Sequence, residues 1–234
     1  VAHAWFVTNS LKLNPNKTEL MIVKTRQRQI PSSFTVSFNN ATLAPSNSVK
    51  LLGIVVDDRL TWESHISLVV RRCYATLRGL SKLSHSLTSD VKKFLIESLV
   101  IPHIMYCITV WGGCGATQKR RVQKVLNHCA RVVFCARKSA HVTPLFEEPQ
   151  WSRIDTRICE RDIAMLNRLF NHVHAPQCLR GAISHRSDVS VRDTRATAAG
   201  LLQLPRVRTE LARRHFWHRA LSLWNAAPAC VREA

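Results

Sequence analysis

The pattern of apolar and polar residues divides the chain into an N-terminal part with short apolar runs and a longer part with helical periodicity. The first 13 residues are typical of the end of a helix, with Trp5, Phe6 and Leu13 facing inward. After a turn at residues 14–16, apolar runs bounded by polar residues or glycine predict a small antiparallel sheet. The predicted strands are Glu19–Val23, Phe34–Phe38 and Val49–Val56.

Helical spacing begins at Thr61, because apolar residues then recur every three or four positions. The first helix has an apolar stripe of Ile66, Val69, Val70, Cys73, Tyr74, Leu77 and Leu80. A second helix is predicted to start at Thr88, a residue suited to N-capping, and to bend or end at Pro102. It carries Val91, Phe94, Leu95 and Leu99.

The third helix has the clearest pattern, and Thr117 is its predicted N-cap. Its apolar stripe consists of Val122, Val125, Leu126, Cys129, Val132, Val133 and Ala136. A fourth helix is predicted over residues 152–173, an exposed loop or linker over 184–208, and a last helix over 209–227. The inward positions of these two helices are Ile158, Met165, Leu166, Leu169, Phe170 and Val173, then Leu211, Trp217, Ala220, Leu221 and Trp224.

These elements predict an α+β fold that is mainly α, with a small antiparallel sheet at the N-terminus followed by a helical bundle. Changes in pattern divide the chain into residues 1–60, residues 61–140 and a C-terminal helical extension over residues 141–234. The chain opens on Val1 within an amphipathic pattern and has no initiating Met, which indicates a fragment.

The charge of the chain predicts which kind of partner it binds. The chain has 34 Lys plus Arg against 15 Asp plus Glu, a formal net charge of +19, and Arg outnumbers Lys by 24 to 10. Such an excess favours a polyanionic partner, and the planar guanidinium favours nucleic acid over an anionic membrane surface. No run of 18 apolar residues predicts a membrane span.

The eight cysteines include no C-x-x-C pair and follow no signal peptide, so we expect reduced thiols in an intracellular protein of the nucleus or cytoplasm. Cys73 and Cys129 lie on apolar stripes, where a thiol acts as a small hydrophobic group. No spacing selects a Cys–His catalytic pair among the many candidates.

Asp57 and Asp58 form an adjacent acidic pair after a strand, as in polymerases that bind two magnesium ions. Two-metal chemistry needs a further carboxylate from an earlier strand, and only Glu19 lies upstream. We therefore favour a polar turn over a metal site. Lys17, before Thr18, is a weaker candidate for contact with a triphosphate.

Three further constellations are weak. His172, His174 and Cys178 offer three metal ligands where structural zinc sites usually have four, and His215 with His218 has no third ligand nearby. The glycines of residues 112–115 lack the Lys and hydroxyl pattern of a P-loop, so we interpret them as a flexible break before the third helix.

Two helices carry basic faces almost free of acids, whereas ordinary solvated faces mix both signs. The first helix has four basic residues and the third has seven with its C-terminal flank, Arg137 and Lys138 included. Charge of this kind predicts affinity for nucleic acid but no sequence specificity. The residues expected to contact nucleic acid are Lys119, Arg120, Arg121, Lys124, Arg131, Arg71, Arg72 and Arg78.

Several stretches, in order, resemble one family. The run Trp5-x₃-Asn9-x-Leu11-Lys12-Leu13-Asn14-x₂-Lys17-Thr18-Glu19 resembles the end of the palm in LINE-type (non-LTR) retrotransposon reverse transcriptases. Val49-Lys50-Leu51-Leu52-Gly53-Ile54, followed by Asp57, Leu60, Trp62, His65 and Ile66, is similar to the segment with the primer-grip strand. Pro102-His103-Ile104-x-Tyr106-Cys107-x₂-Val110-Trp111-Gly112 and Val122-Gln123-Lys124-x₂-Asn127-x₂-Ala130-Arg131 are similar to the thumb of Jockey-like elements. His141-Val142-Thr143-Pro144-Leu145 and Phe216-Trp217-x-Arg219-Ala220-x₃-Trp224-Asn225-x₂-Pro228 resemble the tail.

The resemblance implies that residues 1–60 are the end of a palm, that residues 61–140 are a thumb-like bundle, and that the metal-binding aspartates lie upstream of the chain. Lys17 is then the residue nearest the incoming nucleotide, and Leu52, Gly53 and Ile54 are primer-grip-like. The implied partners are the RNA and DNA of a template–primer duplex and the missing palm and fingers. The implied cofactor is Mg²⁺ in the parent enzyme and none in this fragment, which we expect to be inactive alone. A cellular basic module that binds RNA or DNA without catalysis is the alternative, and a cysteine-based or metal-dependent enzyme is a second one.

Overall fold

A computed structural model describes residues 2–12, 14, 17–25, 27–31, 33–38, 41–189 and 201–228. The chain folds as two compact units, Val1–Ser67 and Leu68–Ala234. The expected class is confirmed, because short antiparallel strands near the N-terminus are followed by helices. The division predicted at residue 140 stays a prediction.

Among its described residues, the first unit holds helix α1, Ala2–Thr8, and four short strands. These are β1 (Val36–Phe38), β2 (Ala41–Leu43), β3 (Ser48–Leu51) and β4 (Ile54–Asp57). Strand β1 pairs antiparallel with β2, and β3 with β4, so the expected single sheet is two separate two-stranded sheets.

The strand predicted over Val49–Val56 is wrong as a single strand, because the chain reverses at Leu52 and Gly53. Leu51 stands opposite Ile54, so only two residues connect β3 to β4. Both have positive φ angles, 47° for Leu52 and 86° for Gly53, as in the two-residue turns that match the twist of a hairpin. Glycine adopts such a φ without strain, whereas leucine rarely does.

Two other predictions for the first unit are wrong. Among the described residues, the segment Glu19–Val23 forms only an isolated bridge, from Leu20 to Pro45, and no continuous ladder. Trp5 is 58% exposed and does not face inward. Leu13 lies outside the described residues.

The second unit is helical. Helix α2 (Glu63–Lys82) begins before the boundary between the units and continues beyond it. The helices that follow are α3 (Ser89–Leu99), α4 (Ile101–Met105), α5 (Ile108–Trp111), α6 (Ala116–Val133), α7 (Thr143–Glu147), α8 (Ile154–Asn171), α9 (Gln177–Arg180), α10 (Arg186–Val189), α11 (Glu210–Arg213) and α12 (Phe216–Ala226).

The stripes predicted for α2 and α6 form much of the core. Cys73 and Leu77 of α2 are fully buried, as are Val125 and Cys129 of α6. Burial raises the pKa of Cys73 to about 11 and that of Cys129 to about 12, so both thiols are neutral packing groups, as predicted.

Helix α3 confirms its predicted cap but not its predicted apolar face. The Thr88 side chain accepts a hydrogen bond from the Val91 N–H at 3.5 Å. Val91 and Phe94 are nevertheless exposed, whereas Lys92 and Ile96 are buried. The Lys92 Nζ donates to the Cys135 Sγ at 3.1 Å, so the ammonium has an acceptor where this face of the helix packs inward.

Helix α6 begins two residues earlier than it would with Thr117 as its cap. Gly115 is the N-cap, and its carbonyl accepts from the N–H groups of Gln118 and Lys119. The prediction of Thr117 as N-cap is therefore wrong. The Gln123 side chain on α6 accepts from the Ile154 N–H at 2.9 Å, so α6 caps the start of α8.

Helix α8 ends sooner than predicted, and the C-terminal helix is broken. The backbone becomes extended at His172 and leaves Val173 82% exposed. The predicted last helix is split into α11 and α12 around His215, and Leu211 is 43% exposed. Trp217 and Trp224 pack against the core only in part, whereas Ala220 and Leu221 are buried as predicted.

The predicted loop at residues 184–208 contains a core residue. Leu202 is fully buried with Leu166, Ala220 and Leu221. Its N–H and C=O are both hydrogen-bonded by the Asn225 side chain, at 2.8 and 2.9 Å. Residues 190–200 of the predicted loop lie outside the described residues.

A buried ion pair joins the distant segments of the second unit. Asp162 on α8 is fully buried, and both of its carboxylate oxygens accept from the Arg219 guanidinium of α12, at 2.9 and 3.0 Å. The same guanidinium donates to the Arg214 carbonyl at 2.6 Å and to the Thr109 carbonyl at 3.1 Å. This Asp162–Arg219 pair thus fixes the end of α5, the middle of α8 and the α11–α12 junction together.

The glycines before α6 allow this arrangement. A Cβ at Gly113 would lie 2.3 Å from the Arg214 carbonyl oxygen and 2.8 Å from an Arg219 guanidinium nitrogen. Gly112 is buried against Ile158 of α8. The segment is therefore a close-packed crossing and not the flexible break that we predicted.

Candidate nucleic-acid interface

Helix α6 has an apolar face that is buried and a second face that carries basic residues. Its 18 residues include five basic side chains and no acidic one. Its buried side chains are Val122, Val125, Leu126, Cys129, Ala130, Val132 and Val133. Since the apolar positions recur every three or four residues, the basic positions between them are left on the remaining surface of the helix.

Two of the predicted contact residues on α6 are engaged within the protein. The Lys119 Nζ lies 2.8 Å from the Asp155 carboxylate at the start of α8. The Arg121 guanidinium donates to the Gln118 side chain at 2.9 Å. Each must give up or share this partner to reach a phosphate.

The other basic side chains of this region differ in how freely they face solvent. Arg120 and Lys124 are exposed, and Arg137 and Lys138 are exposed just beyond the helix. Arg131 is half-buried and donates to the Ala140 carbonyl at 3.3 Å. We therefore expect Arg120, Lys124, Arg137 and Lys138 to have the easiest access to an extended polyanion.

A cleft of about 550 Å³ lies between α2, α6 and the segment after α6. Its lining includes Tyr74 of α2, Lys124, His128 and Arg131 of α6, and Lys138. The Tyr74 and His128 rings lie 5.7 Å apart, centroid to centroid, at an angle of 50°. Sequence reasoning placed Tyr74 on the apolar stripe and overlooked His128, although the three- and four-residue spacing from Lys124 to His128 and Arg131 puts them on one face.

The arginines predicted on α2 are also at the surface. Arg71, Arg72 and Arg78 are all exposed, and the Arg78 Nε donates to the Tyr74 carbonyl at 3.3 Å. They lie on the side of the helix away from its buried stripe. No contact in the structure tests their predicted role.

In the first unit, the predicted nucleotide-proximal and primer-grip-like residues lie at turns. Lys17 is exposed, and its N–H donates to the Asn14 carbonyl. Leu52 at the hairpin tip is 84% exposed and Gly53 is exposed beside it, whereas Ile54 is buried. The hairpin tip therefore presents backbone and one apolar side chain to solvent.

The acidic pair beside this hairpin is occupied by protein donors. The Asp57 carboxylate accepts from the N–H groups of Thr61 and Trp62, at 2.9 and 2.7 Å, and from the Thr61 hydroxyl at 2.9 Å. Burial alone would raise the pKa of Asp57, but these hydrogen bonds outweigh it and hold the pKa below its ordinary value. Asp58 pairs with Lys24 at 3.6 Å. This geometry is that of a turn fastening the start of α2.

The weak metal candidates gain no support. The His172 and His174 rings lie 5.9 Å apart, and the His172 Nδ1 accepts from the His174 N–H. Within the described residues, no three His, Cys, Asp or Glu side chains lie together in a way that could hold a metal ion. In the same part of the chain, no helix is both long and apolar enough to cross a membrane.

Comparisons with known proteins identify relatives of one kind. The chain is 26% identical over 172 residues to a probable RNA-directed DNA polymerase from transposon BS of Drosophila melanogaster. The aligned region covers 72% of this chain and 19% of that protein. It is also 24% identical over 136 residues to a probable RNA-directed DNA polymerase from transposon X-element of the same organism. That alignment covers 55% of this chain and 14% of the relative. No protein-family model matches, and no solved structure matches.

The chain thus spans less than a fifth of the length of these curated relatives. The resemblance to LINE-type reverse transcriptases that the ordered motifs indicated is confirmed by this similarity, which extends over most of the chain. The chain is related to the RNA-directed DNA polymerases of non-LTR transposons, the LINE-type reverse transcriptases.

Proposed function

We propose that this chain is the part of a retrotransposon RNA-directed DNA polymerase that grips the template–primer duplex. The observation that carries the proposal is helix α6, which buries seven side chains on one face and carries five basic and no acidic residues. A rigid helix with that distribution holds cations in fixed positions along a polyanion. Contacts of this kind supply affinity without reading the base sequence.

The hairpin of β3 and β4 fits a second part of this function. Its tip exposes the backbone at Leu52 and Gly53, and glycine lets another backbone approach closely. In the parent enzyme this tip would lie against the primer, and Lys17 would lie nearest the incoming nucleotide. Both roles require the remaining palm and fingers.

Catalysis belongs to other parts of the parent polymerase. Magnesium would be the cofactor there, but Asp57 and Asp58 do not fit a two-metal site. The Asp57 carboxylate already accepts from Thr61 and Trp62, and the Asp58 carboxylate forms an ion pair with Lys24. We therefore expect no primer extension by this chain with an RNA template, a DNA primer, magnesium and nucleotides. Extension that disappears in Asp57→Ala would contradict this assignment.

Binding is tested by fluorescence anisotropy with a labelled DNA duplex over a range of salt concentrations. If Arg120, Lys124, Arg137 and Lys138 each neutralise one phosphate, log affinity should fall against log salt with a slope of about −3 to −4. The double variant Arg120→Ala/Lys124→Ala should flatten this slope by about 2 and weaken unrelated sequences alike.

A matched control distinguishes contacts made by α6 from an effect of net charge alone. Arg206 and Arg208 are exposed on the segment before α11, and Arg206→Ala/Arg208→Ala removes the same charge. We expect this control to leave the slope nearly unchanged. Equal effects of the two double variants would show that only net charge matters and would remove α6 from the proposed interface.

A further inference from the structure

The cleft beside α6 differs in shape from the rest of the basic surface. It is bounded by three segments, with Tyr74 on α2, Lys124, His128 and Arg131 on α6, and Lys138 beyond the end of α6. Its volume of about 550 Å³ lies within the range of sites that enclose small organic ligands. The continuous backbone of a duplex needs no such recess, because its phosphates are met by side chains on an open surface.

The chemistry of the lining is that of a single nucleotide. Three cations line the cleft, Lys124, Arg131 and Lys138, and none of its described lining residues is acidic. Two aromatic rings, Tyr74 and His128, lie in the same cleft, and both are partly exposed. A nucleotide can contact both the cations and the rings, since bases stack on aromatic side chains and phosphates pair with Lys and Arg.

Two details of the cleft favour such a ligand. The Arg131 Nη2 donates to the Ala140 carbonyl at 3.3 Å, and the Arg131 Nε–H is buried with no hydrogen-bond partner among the described residues. The guanidinium is therefore oriented before any ligand arrives. Burial and the charge of Arg131 both lower the pKa of His128, so its ring is neutral near pH 7 and available for stacking.

We propose that this cleft holds one unpaired nucleotide of the bound strand, with its base against Tyr74 and His128 and its phosphate beside Arg131 and Lys138. The proposal rests on the proposed nucleic-acid binding and adds a preference for strands that offer an unpaired base. A base inside a duplex presents only its edges, so these rings reach its face only after it leaves the stack. Template ahead of a primer end supplies such nucleotides.

The test compares three labelled probes of equal length by anisotropy at one salt concentration. They are a single DNA strand, the same strand with every base removed, and the blunt duplex. The natural chain should bind the single strand roughly 10-fold more tightly than the abasic strand, because one stacked base contributes at this level. The double variant Tyr74→Leu/His128→Leu should abolish that difference and leave the abasic and duplex affinities unchanged.

The chain contains one matched control for the aromatic substitution. Tyr106 is the other of its two tyrosines and is half-exposed away from this cleft. Tyr106→Leu should leave all three affinities unchanged, and Tyr74→Phe should retain the preference, because stacking needs the ring and not the hydroxyl. Thermal melting of each variant shows whether the fold is kept.

A second measurement uses the natural chain and so needs no variant. A single strand carrying 5-iodouracil, irradiated in the complex, should cross-link to peptides containing Tyr74 or His128. Cross-links found only elsewhere would overturn the nucleotide cleft, as would equal losses on all three probes in the double variant. Failure of the natural chain to bind any probe would instead overturn the proposed function, and the cleft assignment with it.

Discussion

The Asp162–Arg219 pair makes a sharp prediction about stability. Replacing Arg219 with Leu leaves a carboxylate whose side chain is fully buried without its cation, and it removes the donor to the carbonyls of Thr109 and Arg214. Breaking a buried pair from one side costs about 3–5 kcal/mol, because the remaining carboxylate must either stay desolvated or take up a proton. A domain of ordinary stability has about 5–15 kcal/mol in total, so the loss should be severe.

Urea unfolding followed by circular dichroism measures this cost. Arg213→Leu is the control, because Arg213 is exposed on the neighbouring helix, and it should change the unfolding free energy by less than about 0.5 kcal/mol. The double variant Asp162→Leu/Arg219→Leu should be more stable than Arg219→Leu alone, since removing both charges removes the unpaired one. Additive effects of the two single substitutions would refute the reasoning, because the residues would then not be coupled.

The remaining predictions concern pH and backbone geometry. Burial raises the pKa of Asp162 well above its ordinary value, to about 6, against the opposing effect of the Arg219 cation. The folded state therefore holds this proton more tightly, and the unfolding free energy should fall by up to about 3 kcal/mol as pH rises from 4 to 6, in a titration that Asp162→Asn abolishes. Asp57→Ala should cost about 1–2 kcal/mol by urea unfolding at pH 7, and the cost should disappear in acid, because a group with a lowered pKa stabilises only while ionised. Leu52→Asn should raise the melting temperature, since asparagine tolerates a positive φ better than leucine does. Gly113→Ala should cost about 1–3 kcal/mol in the same urea assay, because the new methyl meets a backbone carbonyl.

The Gly113 and Asp57 predictions each have a matched control in the chain. Gly79 lies in α2 with nothing within 4 Å of an added Cβ, so Gly79→Ala should stabilise the protein slightly where Gly113→Ala destabilises it. Asp58→Ala removes a carboxylate whose ion pair with Lys24 spans 3.6 Å, so it should cost less than Asp57→Ala. The opposite order in either comparison would contradict the structural roles given to Gly113 or Asp57.

Periodicity predicted the helices that carry the core. The stripes of α2 and α6 were found from spacing alone, because a buried face of five or more turns leaves a long repeating signal. The Thr88 cap was also found, since its hydrogen bond is local. The exposure of Arg120 and Lys124 follows from the same repeat, so part of the candidate interface was available from the sequence.

Features that depend on distant partners were not predicted. The hairpin turn at Leu52 and Gly53 lacks the Asn-Gly or Asp-Gly signal of such turns, so one strand was predicted where two exist. Leu202 is buried only because Asn225 satisfies its backbone. The engagement of Lys119 by Asp155, 36 positions away, and the pairing of Tyr74 with His128 likewise arise from packing between helices.

The hydrogen bond from Arg219 to the Thr109 carbonyl spans 110 positions of sequence, and this sets an order of events during synthesis. At about 5–20 residues per second, roughly 6–20 s separate the appearance of residue 109 from that of residue 219 on the ribosome. Asp162 appears 57 positions before Arg219, so for roughly 3–11 s of that interval it has no cation to accompany it into the core. A nascent chain therefore completes α6 early, from local contacts, and closes the bundle only when α12 emerges. Truncation before Arg219 should leave an open, protease-sensitive α8 instead of a smaller folded domain.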